Sequence, residues 1–392
     1  MKSSLIRRAC VAAVVLAATM APAVAAQTDD TGVRGGTAAP SDIGAKARLL
    51  GERTIPNKFT FRGTTVGGLS GIDRDPCTGE YVAISDDRSV LQSARFYTAR
   101  IAVDATGVHS VDFTGTHPLL QPGGAVYPAL HAGDGKAVDP EEVRVDPQSC
   151  DYWWAQEGER PKSSDGLVIQ PSIQFAGRSG AYRGQLTLPP NYEILAGDRG
   201  LRRNKAVEAI TFGARGSMLT SAVEGPLLQD GPEPTLQHVA PVRVTQQSRD
   251  GAVLGQFAYP LEKIFTAPDG SSTYPPDTGV PAILSYPGDS SRYLVLERTW
   301  VSGAGFKIRL FDATTRGATD VQHIDSLKGR KIVPMRKKLV ADLADFDLSG
   351  VYNTEGMTWG PTLPDGERSL VLISDDNFTE DAATQIVALG IR

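Results

Sequence analysis

Acidic side chains return at a fixed spacing along this chain. Glu141 and Glu157 are 16 residues apart, and so are Glu208 and Glu224, Ser70 and Asp86, and Pro281 and Glu297; Glu355 and Asp375 are 20 apart. In each pair the first residue opens a short apolar run and the second closes the next run. Carboxylates drawn together repel one another unless they are protonated or a cation neutralises them. Calcium, with about six to eight oxygen ligands in flexible geometry, suits such a set, with magnesium or manganese as alternatives. Glu141, Glu157, Glu208, Glu224, Glu355 and Asp375 are therefore the candidate metal ligands. Arg88, Lys205 and Arg298 lie beside them in sequence and either hold an anionic substrate or balance the acids.

The segments around these pairs name the elements that must position them. Each has an alternating run, a turn rich in Gly, Pro, Asp or Ser, and then a run such as YVAIS (81–85), YWWAQ (152–156), MLTSAV (218–223), YLVLE (293–297) or LVLIS (370–374). That is the pattern of a β-hairpin. The signatures follow one another at steps of 71, 67, 73 and 74 residues, with further strand-like segments between them. A unit of four strands at this period predicts an all-β fold, a single β-propeller of four-stranded antiparallel blades. Five blades are visible, and a sixth has room within 162–200 or 305–345. The segment 47–56 is expected to pair with the C-terminal 384–391 and close the ring, which removes an exposed edge.

In a tight hairpin the start of the first strand and the end of the second lie together, opposite the turn. If the hairpins are the inner strands of their blades, the paired acids gather around one mouth of the central channel. Cys77 and Cys150 fall in the turns, on the opposite face of consecutive blades, where a disulfide between them is permitted.

Residues 1–26 read as a secretory signal, with Lys2, Arg7 and Arg8 before an apolar run and Ala-Val-Ala-Ala ending at Ala26. Its removal takes three positive charges and no acids, moving the formal net charge from −5 to −8. Residues 27–44 are small and polar, a flexible leader to a domain expected over 45–392. Secretion, or placement on the exterior of the cell envelope, follows. An acidic exported chain is a poor partner for nucleic acid. No later run is long enough to insert in a membrane. The expectation is a monomer. The histidines show no HExxH spacing, and GGLSGI (67–72) lacks the GxSxG of a nucleophile elbow.

GGLSGID (67–73), AISDDRS (83–89), VDPEEVRVDP (138–147), AVEGPLLQDG (222–231), VLERTW (295–300), NTEGMTWGP (353–361) and LISDDNF (372–378) together resemble the phytase-like family described as having esterase-like activity, exported bacterial β-propeller proteins. The resemblance implies an ester hydrolase and, through β-propeller phytases, calcium. The family pattern places Glu-Gly at the signature openings. Here Glu355-Gly356 keeps it, Glu142 follows Glu141, Ala209 follows Glu208, and Pro281 replaces the glutamate. The reading is an exported metal-dependent ester hydrolase acting on a small anionic ester, a phosphomonoester first. The alternatives are a propeller that binds a ligand or partner around a structural ion, and a metal-dependent lactonase or carboxylesterase.

Overall fold

The computed structural model describes residues 43–162 and 166–392; the expected signal segment and most of the leader lie outside them. Strand β1 (Ala47–Ile55) is followed by a small hairpin of β2 (Thr60–Phe61) and β3 (Thr64–Thr65). The first blade is β4 (Leu69–Arg74), β5 (Tyr81–Ser85), β6 (Arg95–Asp104) and β7 (Gly107–Pro118). The second is β8 (Pro140–Val145), β9 (Tyr152–Gln156), β10 (Ser172–Ala176) and β11 (Tyr182–Leu186). The third is β12 (Val207–Gly213), β13 (Met218–Val223), β14 (Ala240–Ser248) and β15 (Val253–Leu261). The fourth is β16 (Asp277–Tyr286), β17 (Asp289–Val301), β18 (Gly305–Thr314) and β19 (Arg336–Asp342). The fifth is β20 (Asn353–Thr362), β21 (Arg368–Asp375) and β22 (Thr384–Ile391), completed by β1.

The fold is thus a five-bladed β-propeller of four-stranded antiparallel sheets, ring-closed by β1 on β22 from Ala47↔Ile391 to Ile55↔Thr384. There is no sixth blade among the described residues: the first candidate region supplies β10 and β11, and the second β18 and β19. The signature hairpins are the two inner strands of their blades. Burial explains why they read as continuous apolar runs. Every residue of β5, β9 and β13 is buried, because these strands meet neighbouring blades on both faces. The outer β11 and β19 alternate between covered and exposed.

The core lies between blades. Trp153, Ile210 and Ile283 share one cluster spanning the second to fourth blades, and Trp154 packs with Ile84 between the first two. Cys77 and Cys150 are joined as a disulfide, Cα atoms 6.4 Å apart, linking the β4–β5 turn to the β8–β9 turn. No helix among the described residues is long and apolar enough to cross a membrane.

Candidate metal centre at an acidic channel mouth

The signature openings share a device that the alternating pattern did not reveal. In every blade the first inner pair carries a one-residue bulge at the same place: at Ser70, Glu141, Glu208 and Glu355, and across Val280-Pro281. A bulge leaves one residue out of the ladder and re-aims its side chain. Here it turns the opening residue towards the channel mouth.

The closing acids sit at the end of the ladder or just beyond it. The N–H groups of Asp86, Glu157 and Glu224 donate to the carbonyls of Gly68, Asp139 and Ala206 at 2.8, 3.1 and 2.7 Å, and Asp375 pairs with Asn353. The fourth blade corrects one expectation. Gly279 faces Arg298 and Ala282 faces Leu296, so Arg298, and not Glu297, takes the ring position. Successive side chains of a strand point to opposite faces. Glu297 accordingly turns away from the mouth, where it accepts from Tyr259 at 2.6 Å and pairs with Lys337 at 2.5 Å.

Two triads result. Asp139, Glu141 and Glu157 bring one carboxylate oxygen each within 4.8 Å of one another, as do Glu157, Glu208 and Glu224. Glu157 belongs to both. Its oxygen accepts the Ala206 N–H at 2.6 Å, which fixes it between the second and third blades. At the other side Asn353 donates to Glu355 at 3.0 Å and to Asp375 at 3.3 Å. Glycines admit these side chains. A Cβ on Gly68 would stand 2.0 Å from Asp86 Oδ1, and one on Gly279 2.1 Å from Glu224 Oε1.

The cations at the mouth are engaged with acids. Arg88 pairs with Asp139 at 3.2 Å and Glu159 at 2.8 Å, leaving its Nε without a partner. Lys205 holds Glu224 at 2.7 Å and also Asp277. Arg298 reaches Glu224 at 2.7 Å, Asp277 at 3.1 Å and Glu355 at 3.6 Å. Between them they hold the Asp277 carboxyl down to about 2, against the upward push of burial. In the triads Arg88 on Asp139 and Lys205 and Arg298 on Glu224 offset only part of the acid charge. Burial first, and neighbouring carboxylates second, push Glu157 up to about 8 and Glu141 and Glu208 well above the usual range. Asp86 and Asp375 are raised for the same two reasons.

The donor set fits a hard divalent cation. It is all oxygen, and three of its buried atoms have no hydrogen-bond partner: Glu224 Oε2, Asp86 Oδ1 and Ser70 Oγ. The floor of the mouth is Arg144, from β8, buried with Glu142 at 2.7 Å. Its guanidinium also donates to the carbonyls of Ile72 at 2.5 Å, Ile210 at 2.8 Å and Ile283 at 3.4 Å, one from each of three other inner strands. The channel is plugged at this level.

Sequence reading missed Asp139, Asp277, Asn353 and the plugging role of Arg144. A signal existed for two of them: Asp139 and Asn353 stand two residues before the bulged Glu141 and Glu355, on the same side of the strand. The paired acids of SDDRS (85–89) and SDDNF (374–378) divide their work. Asp87 accepts the N–H groups of Val90, Leu91 and Gln92, and Asp376 those of Gly68 and Phe378, so each builds a turn while Asp86 and Asp375 face the mouth.

A five-bladed ring with carboxylates on its bulges and at its strand ends is an acid-mouthed β-propeller. The chain belongs to the phytase-like family described as "esterase-like activity of phytase", whose model matches residues 64–378. Among curated proteins none matches it. Among solved structures it is similar to the periplasmic gluconolactonase of Pseudomonas aeruginosa, with 10% identity and a TM-score of 0.35 over 82% of this chain and 85% of that one. It is also similar to the Cps50 (Swd1) β-propeller domain of Myceliophteria thermophila, with 10% identity and a TM-score of 0.32 over 86% of this chain and 98% of that one.

Proposed function

We propose that the chain is an exported, metal-dependent ester hydrolase acting at the acidic mouth on a small anionic ester, a phosphomonoester first. The observation that carries this reading is the pair of carboxylate triads sharing Glu157, with the buried Glu224 Oε2 left without a partner. Family membership supports ester hydrolysis, and the disulfide supports an oxidising compartment. Calcium is the cation the oxygen-only donor set favours.

Glu141, Glu157, Glu208 and Glu224, with Asp139, would hold the cation, and Asp86, Glu355 and Asp375 complete the ring around it. When bound, it supplies Lewis-acid polarisation of a phosphoryl or carbonyl oxygen. The chain's own residues orient the substrate. The free Nε–H of Arg88 is available to one substrate oxygen, its other nitrogens being fixed by Asp139 and Glu159. Lys205 and Arg298 share Glu224 Oε1 and both also pair with Asp277, so withdrawal of Glu224 towards a cation would free one donor on each for a second anionic oxygen while Asp277 keeps them in place. Arg144 and Glu142 seal the floor and confine the substrate to one entrance.

The test is turnover of phytate, an aryl phosphate and a lactone panel by calcium-loaded and chelated protein, alongside calcium titration of a Glu208→Gln, Glu355→Gln double variant. Calcium-dependent release of phosphate, and loss of affinity in the variant, are expected. Full calcium affinity in the double variant overturns the ligand assignment. Absence of turnover on every substrate, with chelation lowering only the melting temperature, overturns the enzymatic reading in favour of a binding propeller.

A further inference from the structure

The Arg144 plug divides the channel, and its far side opens into a second chamber. This funnel, about 460 Å³, is built where the inner strands run out into their turns, with all five blades contributing. That volume is within the range of small-molecule sites. Its chemistry is opposite to that of the acidic mouth.

Asp73 is the single acid among the residues lining it, and both its oxygens are engaged, by the Thr358 hydroxyl at 2.6 Å and the Val145 N–H at 2.8 Å. The other charged lining groups are arginines. Arg144 is saturated by carbonyls and Glu142, whereas Arg74 and Arg215 enter no ion pair and make no side-chain hydrogen bond among the described residues. Arg215 is held at the rim by a turn in which it and Ala214 both adopt positive φ, 58° and 47°, a conformation that costs non-glycine residues energy.

The walls are apolar: Phe212, Leu284 and Trp359, the last packed on Tyr286 with ring centroids 5.3 Å apart. The Trp359 indole N–H is spent on the Ser285 carbonyl at 2.9 Å. The Ser285 hydroxyl, 7% exposed and lining the same cavity, has no partner. A buried donor without an acceptor, in a cavity that two free arginines and an aromatic wall also line, is a site awaiting an acceptor-bearing molecule.

We propose that the turn-side funnel binds a small organic anion with an apolar body, independently of the acidic mouth. The anionic group pairs with Arg215 and Arg74, and the body lies against Trp359 and Phe212. An additional contact to the Ser285 hydroxyl satisfies its orphaned proton.

Calorimetric titration of the full chain with naphthoate, and with the neutral naphthyl methanol of similar shape, tests this. Naphthoate is expected to bind at least about tenfold more tightly than the alcohol, and Arg215→Ala to weaken it by about tenfold, the loss of one charge-assisted contact. Arg215 is exposed, so this variant keeps the fold, and Arg74→Ala is expected to act in the same direction. Glu208→Gln, in the acidic mouth, is expected to leave naphthoate binding unchanged. Equal binding of acid and alcohol, no binding of either, indifference to both arginine substitutions, or loss in the Glu208→Gln protein each overturns the proposal. None of these results bears on calcium-dependent turnover.

Discussion

Replacing Glu157 by glutamine should change the sign of its effect according to whether a cation is present. In the cation-free fold the Glu157 carboxyl is pushed from 4.5 up to about 8, by burial first and then by Asp139 and Glu224. A carboxyl raised in this way is protonated in the fold while ionised in the unfolded chain, so the fold binds the extra proton. Stability from this group is therefore fully present below about pH 4.5 and is lost as pH rises to about 8. At about 1.4 kcal/mol per pH unit, the loss from Glu157 is as much as about 5 kcal/mol. Between pH 5 and pH 8 the loss is at most about 4 kcal/mol, and with a melting shift of roughly 2 °C per kcal/mol for a domain of this size, the chelated protein should melt up to about 8 °C lower at pH 8 than at pH 5. Calcium at about a hundredfold excess over its Kd restores about 2.7 kcal/mol, and more effectively at the higher pH, where the ligands are ionised. Glutamine keeps an oxygen for the Ala206 N–H but cannot ionise. Differential scanning calorimetry of Glu157→Gln should show a flatter pH dependence and a higher chelated melting temperature at pH 8, with the calcium increment lost. A wild-type melting temperature that stays level between pH 5 and 8 in chelator, or a calcium increment unchanged by the substitution, refutes the reasoning.

Removal of the disulfide by Cys77→Ser with Cys150→Ser frees a 73-residue loop and should cost about 4 kcal/mol of unfolding free energy, measured by denaturant titration. Gly279→Ala places a methyl 2.1 Å from Glu224 Oε1, so calcium titration should show at least about tenfold weaker binding, and denaturant unfolding a loss of about 1–3 kcal/mol. Arg144→Met strips the cation from the buried Glu142 and should cost about 3–5 kcal/mol, while adding Glu142→Gln recovers part of it in a double-mutant cycle.

The parts of this protein legible in its sequence are those where one physical cause acts alone. Inner strands covered on both faces leave apolar runs, and the five runs from YVAIS to LVLIS mark all five blades. Edge protection demanded a partner for 384–391, and β1 is that partner. The two cysteines could meet only if consecutive hairpins turned at the same end, as they do. What was not legible depends on backbone register. A 16-residue spacing pointed to Glu297, but in the fourth blade the first pair after the bulge, Ala282↔Leu296, spans 14 residues where the first three blades span 13 (Gly71↔Ile84, Glu142↔Ala155, Ala209↔Ala222), and that extra residue on the turn side moves Arg298 into the ring. The engagement of Lys205 and Arg298 with Asp277 was equally hidden, because Asp277 lies in β16 outside the repeated spacing.

The same register effect makes the mouth asymmetric, and that asymmetry is chemically useful. Four blades place an acid at the ring position and three place glutamate on the bulge. The fourth places Pro281 on the bulge and Arg298 in the ring, so it contributes a counter-charge and no ligand. A ring of carboxylates alone would bind a cation and repel an anionic ester from every side. The triads draw on the second and third blades, and Lys205 and Arg298 meet the second triad at Glu224 while also pairing with Asp277. Glu224 is buried, touches both cations through one oxygen and leaves the other without a partner. It is therefore the residue whose replacement by glutamine should alter cation affinity and anionic-substrate affinity together, measured by calcium titration and by KM.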